Sequence, residues 1–314
     1  MGFLSVLTST TRKVKTALLG LCGVLLFCAC AKHPSPPVSP AAAREIVDDA
    51  GKRIVLPAQV DRVVSLAPNL TEIVFAVGAG DRLVGRTSYC DYPPEARKVA
   101  EIGDTLHPNI ERIVALHPQL VLVSTASQLE AFTSQLEGHH IAVFVTDPHN
   151  LEGVFSSIER IGEIVNRGNQ AKQLVEQLRA RADAVAQAVS SRPRVRIFYQ
   201  LYAEPLYTAG RDAFVTDLIR RAGGDSVTAN VPGAWPNYSA ESALASRPEA
   251  IILATGGASG DANSSVAPSL QKSPAALNGR VYKINDDHLS RPGPRSIDGL
   301  EEMARALHPE AFNK

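Results

Sequence analysis

The chain has 314 residues and carries 32 basic and 32 acidic side chains, so its formal net charge is zero. A balanced charge argues against a protein that binds nucleic acid through an excess of Lys and Arg. The hydrophobic content of 45% and the charged content of 20% exclude a wholly disordered chain, and the length suggests about two domains.

The first 29 residues have the pattern of an export signal. Three basic residues precede an uncharged run over 16–29, which is shorter than the roughly 20 residues that a membrane-spanning helix needs. The run ends Leu-Phe-Cys-Ala-Cys, which resembles the lipobox of bacterial lipoproteins. We therefore predict a signal peptide over 1–29 that is removed in front of Cys30. A plain signal peptide cut nearby, or an uncleaved anchor, is the alternative.

The segment after the signal is predicted to connect a lipid anchor to the folded region. Lipid would be attached to Cys30, and the Pro-, Ser- and Ala-rich residues 30–44 would form a flexible tether. In the mature chain Cys90 would then be the one remaining unmodified cysteine, so no intrachain disulfide is expected.

Strands and helices are predicted to alternate along the folded region. The apolar runs 120–123 and 141–145 are typical of strands buried on both faces, and the alternation predicts parallel sheets covered by helices. The predicted strands are a hairpin over 46–57, then 62–66, 83–85, 120–123, 141–145, 195–199, 251–254 and 281–284. The predicted helices are 70–77, 109–116, 127–136, 150–166, 169–191, 212–222 and an amphipathic stretch around 297–307.

A weak internal repeat predicts two similar lobes. Residues 109–123 and 239–253 share a capping residue, a glutamate two positions later, a short helix, a proline and an apolar strand. A second similarity joins 79–81 to 223–225, each interpreted as the end of a helix. We predict an N-terminal lobe over 45–168, a bridging helix over 169–192 and a C-terminal lobe over 193–314. Chance recurrence of helix-proline-strand units is the alternative.

Six motifs resemble those of a known family. They are SLAPNLTE at 65–72, SYCDYPP at 88–94, NIERI at 109–113, PQLV at 118–121, WP at 235–236 and RPGPR at 291–295. The family is the periplasmic substrate-binding proteins of ABC importers for metal chelates, namely cobalamin, haem and ferric siderophores. The resemblance covers residues 45 to 308 and is closest to the cobalamin-binding members. It implies the class III fold, in which two Rossmann-like α/β lobes are bridged by a single long helix.

Two glutamates occupy the same place in the two copies of the repeat. Glu111 and Glu241 each follow a predicted N-cap, Asn109 and Ser239. Favourable interaction with the helix dipole would explain an acidic residue there without any further role. The resemblance implies instead that one glutamate on each lobe pairs with arginines of the membrane permease, a contact that fixes orientation.

The resemblance also implies a set of ligand contacts in the cleft between the lobes. Tyr89 and Trp235 would cover the apolar face of a flat chelate, and Asp287 and Arg291 would bond its amide or carboxylate rim. Arg295 is a weaker candidate. The alternatives are packing at a lobe edge for the two aromatic residues and a solvated turn for the two arginines.

The cleft departs from the cobalamin-binding pattern at several positions. Thr105, Ser124 and His288 stand where tryptophans occur in that pattern, and Ser290 replaces an acidic residue. The predicted cleft is therefore less aromatic, and haem or a ferric siderophore stays open as the ligand. Imidazole and thiolate can coordinate iron or cobalt. We interpret His288 as a polar residue at the cleft edge and count it among the predicted ligand-binding residues. Cys90 is interpreted as a small half-buried thiol, and we predict no resident metal.

Motifs of several enzyme classes are absent from the sequence. It contains no P-loop, no Gly-x-Ser-x-Gly and no His-Glu-x-x-His. We predict an exported, monomeric, lipid-anchored binding protein without a cofactor, which captures cobalamin or a related corrinoid for an ABC permease and its ATPase subunits. The alternatives from other classes are an enzyme on the same fold and a lipoprotein that acts as a sensor or scaffold.

Overall fold

The computed structural model describes residues 43–105, 107–124, 129–257 and 265–312. The predicted signal peptide, Cys30 and all but the last two residues of the predicted tether lie outside these residues.

The folded region opens with an antiparallel hairpin. Strands β1 (Arg44–Val47) and β2 (Arg53–Leu56) pair with Arg44 opposite Leu56, on either side of the predicted turn. The N–H of Asp49 donates to the carbonyl of Val145 at 3.1 Å. The hairpin is therefore joined to the first lobe rather than standing alone.

A four-stranded parallel sheet forms the first lobe. Its strands are β3 (Val63–Ser65), β4 (Leu83–Arg86), β5 (Leu120–Ser124) and β6 (Ala142–Thr146), in the order β4-β3-β5-β6. The associated helices are α1 (Pro68–Ala76), α2 (Ile110–Ala115), α3 (Leu129–Gly138) and α4 (Leu151–Ile164). Four residues of β5 in succession are buried, as its unbroken apolar run predicts.

A single helix of 22 residues, α5 (Gly168–Val189), connects the two lobes. Its buried residues follow the predicted stripe at three- and four-residue spacing and are Ala171, Val175, Leu178, Ala182, Val185 and Val189. Within the described residues, no helix has both the length and the apolar character needed to cross a membrane.

The second lobe contains another four-stranded parallel sheet. Its strands are β7 (Val195–Gln200), β8 (Gly224–Ser226), β9 (Ala250–Thr255) and β10 (Val281–Asn285), in the order β10-β9-β7-β8. Its helices are α6 (Phe214–Arg221), α7 (Ala240–Ala245), α8 (Pro274–Leu277), α9 (Asp286–Leu289) and α10 (Ser296–Leu307). In both sheets the first strand of the lobe lies between the second and the third, so the topology is repeated.

Local details confirm the internal repeat. His117 and Arg247 both adopt a left-handed backbone, with φ of 46° and 47°, immediately before a proline. Arg62 donates to the C-cap carbonyl of α2, and Arg196 donates to the C-cap carbonyl of α7. The same connection from helix to strand is therefore built twice.

One part of the predicted repeat is wrong. Gly224 and Asp225 were expected to end a helix, but they belong to strand β8, which pairs with β7 at the edge of the sheet. The helix ends earlier, at Arg221, and the turn after it uses Gly223 at a φ of 84°. A three-residue edge strand of Gly, Asp and Ser has no apolar pattern by which the sequence could have revealed it.

Candidate functional site

The candidate ligand residues follow the carboxyl ends of strands in both sheets, in loops or, for Asp287, in the short helix α9. Tyr89 follows β4, Trp235 follows β8, and Asp287 and Arg291 follow β10. All four residues lie in segments that leave the carboxyl ends of parallel strands, which is where ligands bind in open α/β sheets. The sequence-predicted residues therefore share the edge that this fold uses for binding.

The two candidate aromatic side chains lie at the surface rather than in the core. Tyr89 is 51% exposed and Trp235 is 37% exposed. The ring centroid of Trp235 lies 6.1 Å from that of Tyr199, which is fully buried, and the two rings are tilted by 40°. The hydroxyl of Tyr199 lies 3.4 Å from Oγ of Ser290, next to Arg291. Trp235 therefore packs beside Tyr199 while part of its side chain stays accessible to a ligand.

Arg291 joins the two lobes through a pair of carboxylates. Its Nη2 lies 2.9 Å from Oδ1 of Asp287 in the same lobe, and its Nη1 donates to Oδ1 of Asp91 in the first lobe at 3.1 Å. The arginine side chain is largely buried. Arg291 is therefore not in a solvated turn. Its partner Asp91 lies two residues after Tyr89 in the sequence, so the contact brings Arg291 near the segment that carries Tyr89.

Arg295 makes a second contact between the lobes. Its Nε donates to Oε2 of Glu72 on α1 at 3.0 Å, and its Nη2 bonds the other carboxylate oxygen. The guanidinium also lies 3.9 Å above the ring of Tyr92 and 3.8 Å from Oδ2 of Asp287. Glu72 is only 3% exposed, so this is a buried bidentate ion pair.

Burial changes the acid-base properties of this cluster. It raises the pKa of Glu72, against the opposing hydrogen bond and charge of Arg295. It also raises the pKa of Asp287, against the charges of Arg291 and Arg295. Burial alone would lower the pKa of Arg295, but the hydrogen bond and charge of Glu72 raise it instead. The cluster is therefore held together by desolvated charges that depend on one another.

The sequence alone did not reveal Glu72, Asp91 or Tyr92 as parts of this cluster. Glu72 and Arg295 are separated by 223 positions, and neither a period nor a local spacing connects them. The signal that was present is an acidic residue among the apolar positions of α1, where a buried charge requires a partner.

His288 and Cys90 each have other partners. Nδ1 of His288 lies 2.9 Å from Oε1 of Glu302 on α10, so this side chain is paired with the last helix. Cys90 is completely buried, rather than half-buried as expected, because its Sγ packs inward, 3.1 Å from the hydroxyl of Thr87. In the part of the chain that the structure describes, no group of three or more His, Cys, Asp or Glu could hold a metal ion.

Three of the four positions that depart from the cobalamin-binding pattern, all except His288, carry small polar side chains. Thr105 and Ser124 are half-buried, and Ser124 is the last residue of β5. The hydroxyl of Ser290 bonds the carboxylate of Asp286. The described part of this edge is therefore more polar than an aromatic-lined site.

Glu111 and Glu241 are exposed in the first turns of equivalent helices. Asn109 and Ser239 cap these helices by accepting hydrogen bonds from N–H groups three residues later, at 2.9 and 3.3 Å. Neither glutamate forms an ion pair with a described residue. A helix that leads into a parallel strand begins near the carboxyl ends of the strands, so both glutamates lie on the same side of their lobes as the candidate ligand residues.

Two surface pockets lie outside the candidate cluster. One, of about 540 Å³, is lined by the hairpin and by residues such as Gln119 and His140 at the opposite edge of the first sheet. The other, of about 370 Å³, is lined by residues such as Asn150 and Asp217 at the starts of α4 and α6. The candidate site therefore rests on the chemistry of its residues rather than on either pocket.

Comparison with known proteins gives concordant matches. A family model described as periplasmic binding protein matches residues 63–288. A vitamin B12-binding protein of Photorhabdus laumondii is 30% identical over 79% of this chain and 88% of its own length. An uncharacterized ABC transporter substrate-binding lipoprotein of Bacillus subtilis, YvrC, is also 30% identical, over 85% of this chain and 87% of its own length.

Solved structures with the same fold include proteins named for two ligands. The periplasmic vitamin B12-binding protein BtuF of Vibrio cholerae has a TM-score of 0.73 and 27% identity, over 82% of this chain and all of that one. A periplasmic haem-binding protein of Pseudomonas aeruginosa has a TM-score of 0.69 and 25% identity, over 80% of this chain and 93% of that one. These matches agree with the two-lobed fold described above.

Proposed function

The chain belongs to the periplasmic binding protein family, and from this premise we propose that it captures cobalamin or a related corrinoid between its lobes for an ABC permease. The observation that carries the proposal is the arrangement around Arg291. An exposed aromatic side chain from each lobe, Tyr89 and Trp235, is connected to this buried arginine, through Asp91 on one side and through Tyr199 and Ser290 on the other.

This arrangement suits a large flat ligand with a polar rim. A corrin or porphyrin ring presents apolar faces that aromatic side chains can cover, and Tyr89 and Trp235 are free to do so. Its peripheral amides or carboxylates need donors and acceptors, which Arg291 and Asp287 supply. His288 is a weaker candidate, because its ring is paired with Glu302.

Haem is the second candidate, and a ferric siderophore is the third. The similarity to a haem-binding structure favours haem over the siderophore, while proteins named for vitamin B12 favour cobalamin. In each case the chelate would be the transported ligand and not a resident cofactor, and the protein would act as a binding protein rather than as an enzyme.

Ligand titration tests the proposal directly. The purified protein is titrated with cyanocobalamin, haemin and a ferric siderophore, and binding is followed by absorbance and by calorimetry. We expect saturable one-to-one binding of cyanocobalamin, with the ligand recovered unchanged. Binding of haemin or the siderophore alone would replace the ligand, and chemical conversion of a bound ligand would indicate an enzyme. Binding of none of the three would contradict the proposal.

Docking to the permease is assigned to Glu111 and Glu241. Both are exposed and unpaired among the described residues, and the repeat places them equivalently on the two lobes. Arginines of the permease, which is itself bound to the ATPase subunits, would therefore pair with one carboxylate on each lobe. Paired charges of this kind act on orientation and on the rate of association.

Charge reversal at both glutamates tests docking. The double variant E111K/E241K should lose stimulation of the transporter ATPase and keep the ligand affinity of the unchanged protein, because neither residue contacts the cluster. The variant E176K/D183K is the matched control, since it makes the same charge change at exposed positions on α5. Stimulation that survives in E111K/E241K, or that is lost equally in the control, would contradict this role.

Export and lipid anchoring are proposed from the sequence pattern at Cys30. This residue lies outside the described part of the chain, and support comes from the Bacillus subtilis relative that is named a lipoprotein. We propose a monomer held at the membrane by this lipid alone. Mass measurement of the mature N-terminus should show a lipidated Cys30, and replacement of Cys30 by Ser should release the protein, whereas C28S should not.

A further inference from the structure

The candidate site contains a chain of alternating charges that crosses from one lobe to the other. The first lobe supplies Glu72 and Asp91, and the second supplies Asp287, Arg291 and Arg295. Arg291 contacts Asp91 and Asp287, and Arg295 contacts Glu72 and Asp287. Each guanidinium is therefore already shared between two carboxylates before any ligand arrives.

The balance of this cluster is negative. Three carboxylates surround the two buried guanidiniums. A third guanidinium, that of Arg97, lies 4.0 Å from Asp91 but is 69% exposed, so water screens it. The buried carboxylate of Asp286 adds further negative charge beside the cluster, and this charge contributes to the raised pKa of Asp287. Among the described residues of this cluster, both buried guanidiniums are already paired with carboxylates and neither is left for an anionic ligand.

We propose that Glu72 and Asp91 determine ligand specificity by occupying both arginines, so that the site selects a chelate with an amide rim over the same chelate with a carboxylate rim. The proposal rests on the proposed function and assigns a charge class to its ligand. Glu72 and Asp91 act here as specificity-determining residues, and Glu72 is in addition a positioning residue for Arg295.

The physical reason is the cost of displacing a carboxylate partner. A ligand carboxylate could reach Arg291 only by taking the place of Asp91 or by adding a further negative charge beside it, and like charges in contact are strongly unfavourable. An amide avoids this cost, because its carbonyl can accept from the guanidinium and its N–H can donate to a carboxylate. Oδ1 of Asp287 is a buried acceptor that has no hydrogen bond with correct geometry in the described residues, although Arg291 lies 2.9 Å away.

The two acidic residues differ in how firmly they hold their arginines. Glu72 is 3% exposed and binds Arg295 in a bidentate manner, whereas the side chain of Asp91 is 43% exposed and accepts a single hydrogen bond from Arg291. Glu72 therefore holds Arg295 through both carboxylate oxygens in a buried position. The Asp91–Arg291 contact lies at the open side of the cluster and is the one that a ligand amide would exchange with.

A single change in ligand charge provides the test. The affinities for cyanocobalamin and for its monocarboxylates, in which one peripheral amide is hydrolysed to a carboxylate, are measured by calorimetry at neutral pH and low salt. The unchanged protein should bind the monocarboxylates about tenfold more weakly, and raised salt should reduce the difference. In D91N, the ratio should fall to within about threefold, because Arg291 is then free to meet the added charge.

Two further variants complete the design. E72Q should reduce the ratio in the same way by releasing Arg295, with its fold checked by thermal unfolding; if E72Q does not fold, D91N decides alone. D81N is the matched control, since Asp81 is an exposed acid at the amino end of β4, and it should keep the tenfold ratio. Equal or tighter binding of the monocarboxylates by the unchanged protein, or an unchanged ratio in D91N, would overturn the inference.

The outcome also separates this inference from the proposed function. If cyanocobalamin does not bind, cobalamin is the wrong ligand, and the comparison passes to haemin and its dimethyl ester. The inference then predicts tighter binding of the ester, whose rim carries no carboxylate, and tighter binding of haemin would overturn it. A protein that binds none of these four molecules would overturn the inference, and it would overturn the proposed function as well if the ferric siderophore also fails to bind.

Discussion

Trp235 combines a partly free indole with a buried aromatic support. Its ring lies against Tyr199, and the hydroxyl of Tyr199 faces Ser290 beside the charged cluster. A flat ligand that covers the exposed part of the indole would bury it against the ligand ring. Such contacts contribute on the order of 1 kcal/mol beyond the area that they bury, so Trp235 should dominate the apolar part of binding.

Replacing Trp235 by Ala should weaken ligand binding by about ten- to a hundredfold, as expected for an aromatic side chain that closes over a ligand. Leu277→Ala is the control, since Leu277 is 73% exposed on α8 at the opposite edge of the sheet. Trp235 is the one tryptophan in the sequence, so quenching of its fluorescence measures binding in the unchanged protein. An affinity of W235A equal to that of L277A would remove Trp235 from the site.

At the scale of whole elements, the start of α4 is stabilised by a residue of the other lobe. The N–H of Leu151 donates to Oδ2 of Asp217 on α6 at 3.0 Å, and Arg221 donates to the same carboxylate at 2.8 Å. Burial alone would raise the pKa of Asp217, but the hydrogen bonds from Leu151, Arg221 and Arg220 lower it overall. The ionised carboxylate therefore connects two helices that belong to different sheets.

The variant D217N should lose about 1–2 kcal/mol of unfolding free energy at pH 7, because the amide cannot replace hydrogen bonds to a charged acceptor. The folded pKa lies below the unfolded one, so this stabilisation is complete above about pH 4 and is lost as the pH falls through the folded value. Urea unfolding at pH 7 and near pH 3 should show the difference shrink. D183N, at an exposed position on α5, should behave like the unchanged protein at both pH values.

Elements were predictable from the sequence where their pattern is local. The apolar run of β5, the stripe on α5 and the caps at Asn109 and Ser239 each contain their own signal and appear where expected. Strand β8 was missed because three residues at a sheet edge have no period. The Glu72–Arg295 pair was missed because its energy comes from two segments that only the folded topology brings together.

For the molecule as a whole, several contacts restrict movement between the lobes. On α5, Arg181 bonds Asp298 and Glu301 of α10, and Arg179 bonds Glu152 of α4, at distances between 2.7 and 2.9 Å. The hydrogen bond to Glu301 is the largest cause of the raised pKa of Arg181. The helix is thus fixed to both lobes, and the pairs Glu72–Arg295 and Leu151–Asp217 connect the lobes directly.

These connections predict that Glu111 and Glu241, the two glutamates proposed for docking, keep their separation when ligand binds. Spin labels at E111C and E241C, in a chain whose Cys30 is replaced, should give a distance distribution that shifts by no more than about 2 Å on ligand addition, the range of helix shifts rather than of a domain hinge. Cys90 is buried and should not be labelled.

The pair E241C/L277C, with both labels within one lobe, is the control and gives the width of the distance distribution expected of a rigid body. A second, well-separated distance population in the absence of ligand would show that the lobes open as a hinge despite these contacts, and the docking glutamates would then report ligand by their spacing.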